Sequence, residues 1–313
     1  MQELITTTRA DIIEGNGRIT AALLESWAGY IDASPKTIAT YTRAIKRFAD
    51  YLAERGITEP TREDIIAYRD YLTAEHKPTT TQSYLAAVKL FFKWAEYNGV
   101  YKNIADRVKG VRIDTEHKKD YLTSKQALRL MENVDRSTLA GKRDYAILAL
   151  MVTTGLRTVS VINADIGDIR TAGDATALYY RGKGHTEKAI YVKLAEPVEN
   201  AIREYLTARG EIDPAAPLFA SVAHRNANAR LTTRSISRLA KEHLKGAGYN
   251  SDRLTAHSLR HTAATLNLLN GATVEETQQL LDHANINTTL IYSHALERAK
   301  NNSEQRIAAA IFG

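Results

Sequence analysis

The chain of 313 residues contains no cysteine. Disulfide staples, thiolate nucleophiles and cysteine-held metal sites are therefore excluded. No stretch approaches the roughly 18 consecutive apolar residues that a membrane span requires, and the N-terminus lacks the basic-then-apolar pattern of a secretory signal. There is no internal repeat and no low-complexity segment. These absences fit a cytoplasmic protein with no membrane partner. Charge of one sign is also scarce. The 42 Lys and Arg stand against 36 Asp and Glu, a formal +6, which permits a polyanionic partner without requiring one. What is present is a hydrophobic content of 44% and a charged content of 25%. That is ordinary for a globular protein long enough for one large or two ordinary domains.

Patterning divides the chain. Residues 1–17 read as an N-terminal tail ending in the turn-rich run Glu14-Gly15-Asn16-Gly17. Residues 18–105 read as a helical domain. Leu23, Leu24, Trp27 and Ile31 recur at helical spacing, and Ser34-Pro35 supplies an N-cap and a first-turn proline. Ile38, Tyr41, Ile45, Phe48 and Leu52 share one face of the next helix, which Gly56 ends. Thr61 with Asp64 forms a capping box, and a fourth helix carries Tyr84, Val88, Phe91, Phe92 and Trp94. Residues 106–120 hold Arg107, Lys109, Arg112, His117, Lys118 and Lys119 with no clean period, as expected of an extended basic linker. A solvated connector and a strand lying along a nucleic-acid backbone would share that composition. Residues 121–295 read as a mixed α/β domain whose convincing strands, 177–181 and 189–194, flank Gly182-Lys183-Gly184-His185. The expected fold class is mainly α with a small antiparallel β-sheet.

The chemistry gathers in the second half. Arg157 follows Gly155 at the end of an apolar helix, where a guanidinium can reach into a cleft and hold two phosphate oxygens. Lys183 sits between two glycines at a hairpin tip, a mobile ammonium suited to protonating a leaving oxygen. His257 and Arg260 are three apart on a helical stretch and share a face. His283 follows a helix end, and Tyr292 lies beyond it in Thr288-Thr289-Leu290-Ile291-Tyr292. A phenol with a pKa near 10 becomes a nucleophile only where cations or a base favour the phenolate. Each residue alone has an ordinary reading: a surface arginine, a solvated turn lysine, a core tyrosine. His257 and His261, at i and i+4, have metal-ligand spacing, but Ser258 stands where a zinc protease has glutamate and no paired carboxylates accompany them. No metal and no cofactor are expected.

In their order these residues resemble the tyrosine recombinase (phage integrase) family. Thr154-Gly155-Leu156-Arg157 is similar to its first arginine box and Gly182-Lys183-Gly184 to its hairpin lysine. His257-Ser258-Leu259-Arg260-His261-Thr262 is similar to its second box, and Leu281-Asp282-His283 with Ile291-Tyr292 to its third histidine and nucleophile. The helical 18–103 segment resembles the family's core-binding domain.

The resemblance implies a C-shaped clamp on double-stranded DNA, with a helical core-binding (SAM-like) domain at 18–105 and a catalytic domain at 121–295. Tyr292 would attack the scissile phosphate and form a 3′-phosphotyrosyl bond without metal or ATP. Arg157, Arg260 and His283 would clamp the phosphate, Lys183 would act as general acid, and His257 would assist proton transfer. It further implies a tetramer on two DNA sites, with 296–313 as a C-terminal helix exchanged between protomers. Accessory recombination proteins and a nucleoid-associated, cytoplasmic setting belong to the same expectation. With no room before residue 18 for an arm-binding domain, a compact Xer-like or mobile-element integrase is expected. Two positions depart from the family: Ser160 replaces the usual acidic residue three after the first arginine, and Asp282 replaces the usual glycine before the third histidine. A type IB topoisomerase uses a similar residue set, and a catalytically impaired DNA-binding relative is the other alternative. Candidate DNA contacts are Lys36, Thr79, Thr80, Gln82, Lys118, Lys119, Arg230 and Arg234, with Thr232 and Thr233 beside the last two. Capping and turn chemistry are their ordinary alternatives.

Overall fold

The computed structural model of the chain describes residues 13–14, 18–113, 120–182, 185, 187–300 and 302–312. Contacts gather them into two units, Met1–Glu116 and His117–Gly313. Lys118, Lys119 and Lys183 lie outside the described residues.

The first unit opens with two short strands paired antiparallel, β1 (Ile13–Glu14) in the segment expected to be a tail and β2 (Arg18–Ile19) at the start of the expected helical domain. Four helices follow: α1 (Ala21–Tyr30), α2 (Pro35–Glu54), α3 (Arg62–Glu75) and α4 (Pro78–Tyr97). Local chemistry sets their starts. Ser34 Oγ accepts from the Thr37 amide (3.3 Å), and the Asp64 carboxylate accepts from the Thr61 amide (2.7 Å), so donors orphaned at each N-terminus are satisfied. The faces they bury are aromatic. Trp27, Phe48 and Tyr68 are fully buried, with Phe48 and Tyr68 ring centroids 4.9 Å apart and Trp27 edge-on to Phe91 at 5.6 Å, the tilted and T-shaped geometries that aromatic quadrupoles favour.

Part of the expected linker is packed into this unit. Ala105 and Val108 are buried in its core, the Val108 carbonyl accepts from Lys89 Nζ, and the Val111 amide donates to Gln82 Oε1 (3.2 Å). Within the expected linker 106–120, Asp106, Arg107, Lys109 and Gly110 are exposed, while Val108 is buried in the core of this unit.

The second unit is built on α6 (Leu139–Thr154), whose stretch from Ala146 to Met151 is buried throughout. Around it lie α5 (Ser124–Glu132), α7 (Thr158–Ile162), α8 (Glu196–Arg209), α9 (Thr233–Gly246), α10 (Ala256–Leu269), α11 (Val274–Leu281), α12 (Asn287–Lys300) and α13 (Ser303–Phe312). A three-stranded antiparallel sheet of order β3-β4-β5 completes it: β3 (Ile169–Ala172), β4 (Ala175–Tyr180) and β5 (Ile190–Lys193). β3 was not anticipated, since its four residues show no alternation of burial. Tyr180 pairs with Ile190, so the β4–β5 connection runs from 181 to 189 and is a loop rather than a tight turn. α12 runs through the expected boundary at 295/296, and the final helix starts at Ser303. The described residues are thus mainly helical, with a small three-stranded sheet, a two-stranded pair and a helical N-terminal domain. No helix among the described residues is long and apolar enough to cross a membrane.

Gly155 is the point on which α6, α10 and α11 meet. It ends α6 in the left-handed conformation (φ 64°), and a Cβ there would lie 2.5 Å from Leu281 Cδ2 and 3.3 Å from the Ala263 Cβ. Gly155→Ala combines a disfavoured backbone with an overlap, and is expected to lower the unfolding free energy by about 2 kcal/mol or more. Urea unfolding of the two proteins checks this; a loss well below about 1 kcal/mol would contradict the packing described.

Candidate active site

The first arginine owes its position to that glycine. After Gly155 the backbone turns, Arg157 becomes the extended N-cap of α7, and its side chain leaves toward the C-terminal end of α11. There Nη2 donates to the Asp282 carbonyl (3.0 Å) and Nη1 lies 3.3 Å from Asp282 Oδ2. Arg260 comes from the buried face of α10 and is only 3% exposed. Its Nη1 donates to the Gly155 carbonyl (2.6 Å) and its Nη2 to the Leu281 carbonyl. Burial, and then the charge of Arg157, lower its pKa to about 10, which leaves it protonated at neutral pH. Both guanidiniums are therefore held by main-chain oxygens at the ends of α6 and α11, where helices leave carbonyls without partners and the dipole is negative.

Tyr292 lies on α12 and is 6% exposed, packed with Ala264 and Leu281. Its hydroxyl is 2.6 Å from His261 Nδ1. Burial raises its pKa, and the facing charge of Arg260 pulls the other way without overcoming burial. The resting phenol is protonated. His257, exposed on the first turn of α10, sets its ring edge to face against His261 at 4.5 Å. Phenol and two imidazoles thus form a contiguous row. His283 follows Asp282, the left-handed C-cap of α11, and its Nδ1 lies 2.9 Å from the buried Thr289 hydroxyl. Tyr180, at the end of β4, is also buried. Burial first, then the Asp282 carboxylate, push its phenol up to about 12 against the opposing fields of Arg157 and Arg260.

Of the residues singled out from sequence, Arg157, Arg260, His283 and Tyr292 converge through these contacts, and His257 joins through His261. Ser160 is buried one helical turn beyond Arg157. His261, Thr289 and Tyr180 were missed as parts of the site. His261 had been weighed only as a metal ligand, although its place beside Arg260 was the available signal; nothing in the sequence marked Thr289 or Tyr180.

Two candidate DNA contacts are engaged internally. Arg230 Nη1 donates to the carbonyls of Ile162 (2.8 Å) and Ala164 (3.1 Å), and its Nη2 pairs with Asp165. Lys188 joins the same Asp165 at 2.6 Å. The Arg230 fork thus meets carbonyls and a carboxylate that the sequence did not bring near it. Gln82 is likewise tied by its side-chain oxygen to the Val111 amide. Lys36, Thr79 and Arg234 are exposed, and Thr80 is half-buried. Thr232 caps α9 by accepting from the Ser235 amide (3.1 Å).

The Phage integrase family matches residues 120–298, and the Phage integrase N-terminal SAM-like domain matches 27–99. A tyrosine recombinase XerC from Pelobacter propionicus is 32% identical over 267 residues, spanning 83% of this chain and 85% of that protein. A tyrosine recombinase XerD from Listeria innocua is 29% identical over 277 residues, spanning 83% and 88%. Among solved structures, a XerH site-specific recombinase bound to palindromic difH substrate in a post-cleavage complex superposes with a TM-score of 0.73 at 19% identity, covering 95% of this chain and 86% of that one. A lambda integrase tetramer bound to a Holliday junction gives 0.66 at 16% identity, covering 90% and 78%. At these identities the structures speak for the fold.

The cluster's charge state can be tested without DNA. Burial, followed by the fields of Arg260, Arg157 and His257, pushes the His283 imidazole from 6.5 down to about 4. It is neutral at pH 7. Because the folded pKa lies below the unfolded one, the unfolded chain takes up this proton first. The contribution to stability is therefore complete above about pH 6.5 and is lost as pH falls toward about 4. Urea unfolding between pH 4 and 7 is expected to show this decline, with a shallower slope in His283→Gln. Equal slopes would count against a depressed His283.

Proposed function

The chain belongs to the phage integrase family and is a site-specific tyrosine recombinase that cleaves and rejoins DNA, and from that premise we propose that Tyr292 is its nucleophile. The observation that carries this assignment is the convergence of one buried phenol, two guanidiniums and three imidazoles from α7, α10, α12 and the end of α11.

In this reading a scissile phosphodiester enters between Arg157 and Arg260, whose free edges bind its non-bridging oxygens. Neutral His283, its Nδ1 held by Thr289, offers Nε2 to the same phosphate. Tyr292 Oη attacks phosphorus, its proton passing to His261 Nδ1 at 2.6 Å, with His257 beside it to relay or stabilise the charge. The bond from phosphorus to the 5′ oxygen breaks as the new bond to Oη forms, and that oxygen takes a proton from Lys183. Reversal by a 5′ hydroxyl from a second duplex rejoins the strands. The bond energy stays in the phosphotyrosine, so no nucleotide is consumed. Charge growing on the phosphate meets donors already in position, which is where most of the acceleration arises.

The double-stranded DNA partner, a tetramer on two sites, the cytoplasmic setting and the division at 105, 120 and 295 belong to the same proposal. α13 supports the oligomer, since it exposes Ile307, Ile311 and Phe312 on a terminal helix, an apolar face suited to a neighbouring protomer.

Sequencing the DNA that the chain traps covalently tests chemistry and target together. Wild type is expected to yield one recurring site and Tyr292→Phe no adduct. Arg157→Ala or Arg260→Ala should slow adduct formation on that site by about a hundredfold or more. Binding should weaken steeply with salt. An undiminished adduct in Tyr292→Phe would remove the nucleophile assignment.

A further inference from the structure

One carboxylate stands inside the candidate phosphate clamp. Asp282 Oδ2 lies 3.3 Å from Arg157 Nη1 while the Asp282 carbonyl accepts from Nη2 at 3.0 Å, so a single residue engages both terminal nitrogens of that guanidinium. The pair is partly buried, with side chains 28% and 23% exposed. No carboxylate comes from Arg157's own helix, where Ser160 occupies the next turn. The backbone at Asp282 is left-handed (φ 49°), a conformation that aspartate tolerates through local hydrogen bonding but that carries a cost for any residue with a Cβ. Space for the carboxylate is provided opposite: a Cβ on Gly182 would lie 3.1 Å from Asp282 Oδ2. The carboxylate therefore rests between the Arg157 guanidinium and the bare backbone of Gly182, one residue before Lys183.

A carboxylate and a phosphodiester present the same kind of oxygen edge to arginine. They compete for the edge of the guanidinium that Nη1 presents. A negative charge a few ångströms from the phosphate also opposes the charge that develops during attack, and does so strongly in a partly buried site. From this geometry we infer that Asp282 is an internal competitor of the scissile phosphate. It holds Arg157 in the DNA-free chain, and its carboxylate has to leave Nη1 before the clamp closes on DNA. The Asp282 main-chain carbonyl keeps its bond to Nη2 throughout, so the arginine is released at one edge without being lost from the site. The role is one of regulation through positioning: occupancy of the clamp by phosphate is made harder until DNA contacts elsewhere supply the difference. This inference rests on the reading of Arg157 as a phosphate clamp.

Sulfate, a tetrahedral oxyanion, tests it without knowledge of the target sequence. The full chain is titrated with sodium sulfate at constant ionic strength, with binding read from the thermal unfolding midpoint. Asp282→Asn removes the charge while keeping shape and a side chain that accepts the left-handed backbone, and Asp282→Gly removes the side chain in a residue free to adopt it. Both variants are expected to bind sulfate about tenfold more tightly than wild type, and adding Arg157→Ala to either should abolish the gain. Unchanged or weaker sulfate binding in both variants, with Arg157→Ala still reducing it, would overturn the competitor role and leave the clamp standing. Sulfate binding indifferent to Arg157→Ala in every background would overturn the clamp itself, and the competitor with it.

Discussion

Everything else in the catalytic domain depends on how two guanidiniums are held side by side in a largely buried space. Like charges repel, and burial strips away the water that would screen them. The depressed pKa of Arg260 records both effects. The protein offsets them chiefly with main-chain oxygens from Gly155, Leu281 and Asp282. Such acceptors cannot ionise or rotate away, and they exist only where a helix has just ended. The geometry of the site is therefore inherited from helix termini: α6 must stop at Gly155, and α11 at Leu281. Glycine at 155 is the condition for the first, because a side chain there would overlap Leu281.

That constraint explains why the resting site is quiet. With two fixed positive charges nearby, a phenol might be expected to ionise easily. Burial of Tyr292 outweighs the field of Arg260, and the phenol stays protonated. Burial, and then the same fields, keep His283 neutral, so it adds no third positive charge. In the proposed reading a bound phosphate brings the group that Tyr292 attacks, and His261 is already within hydrogen-bond distance to take the phenol's proton. Chemistry in that reading waits on occupancy of the clamp, because the substrate supplies the atom attacked and has first to displace the Asp282 carboxylate from Arg157.

Much of this was legible in the sequence, for a definable reason. Caps and helix ends are local, so Ser34-Pro35, Thr61 with Asp64, and Gly155 after an apolar run declare themselves within a few residues. The ordered motifs around Arg157, Arg260, His283 and Tyr292 also identify the family, and with it the convergence. Contacts that join distant segments were not legible. Asp282 meets Arg157 across 125 positions, Arg230 meets Asp165 across 65, and His261 meets Tyr292 across 31. No local pattern announces that an arginine will meet carbonyl oxygens within the fold, which is why the internal contacts of Arg230 were not foreseen. The burial of Val108 was illegible for the opposite reason: the basic composition around it suggested solvent throughout.

The chain's charge shows why composition said so little. A formal +6 is small, and much of the basic inventory is paired within the fold: Arg47 with Glu75, Lys142 with Glu204, Arg143 with Asp144, Lys188 with Asp165. Such pairs contribute modestly to stability, but they withdraw charge from the field that would attract DNA. In the proposed reading what recognises a phosphate is local: donors pre-aimed by helix ends in a partly dry site, where each is worth more than a solvated lysine. Total charge bears on how often DNA arrives; the carbonyl-held arginines bear on what happens to it. A chain can therefore be almost neutral by count and still build a strongly cationic catalytic centre, provided its fold concentrates two or three charges and prevents them from escaping.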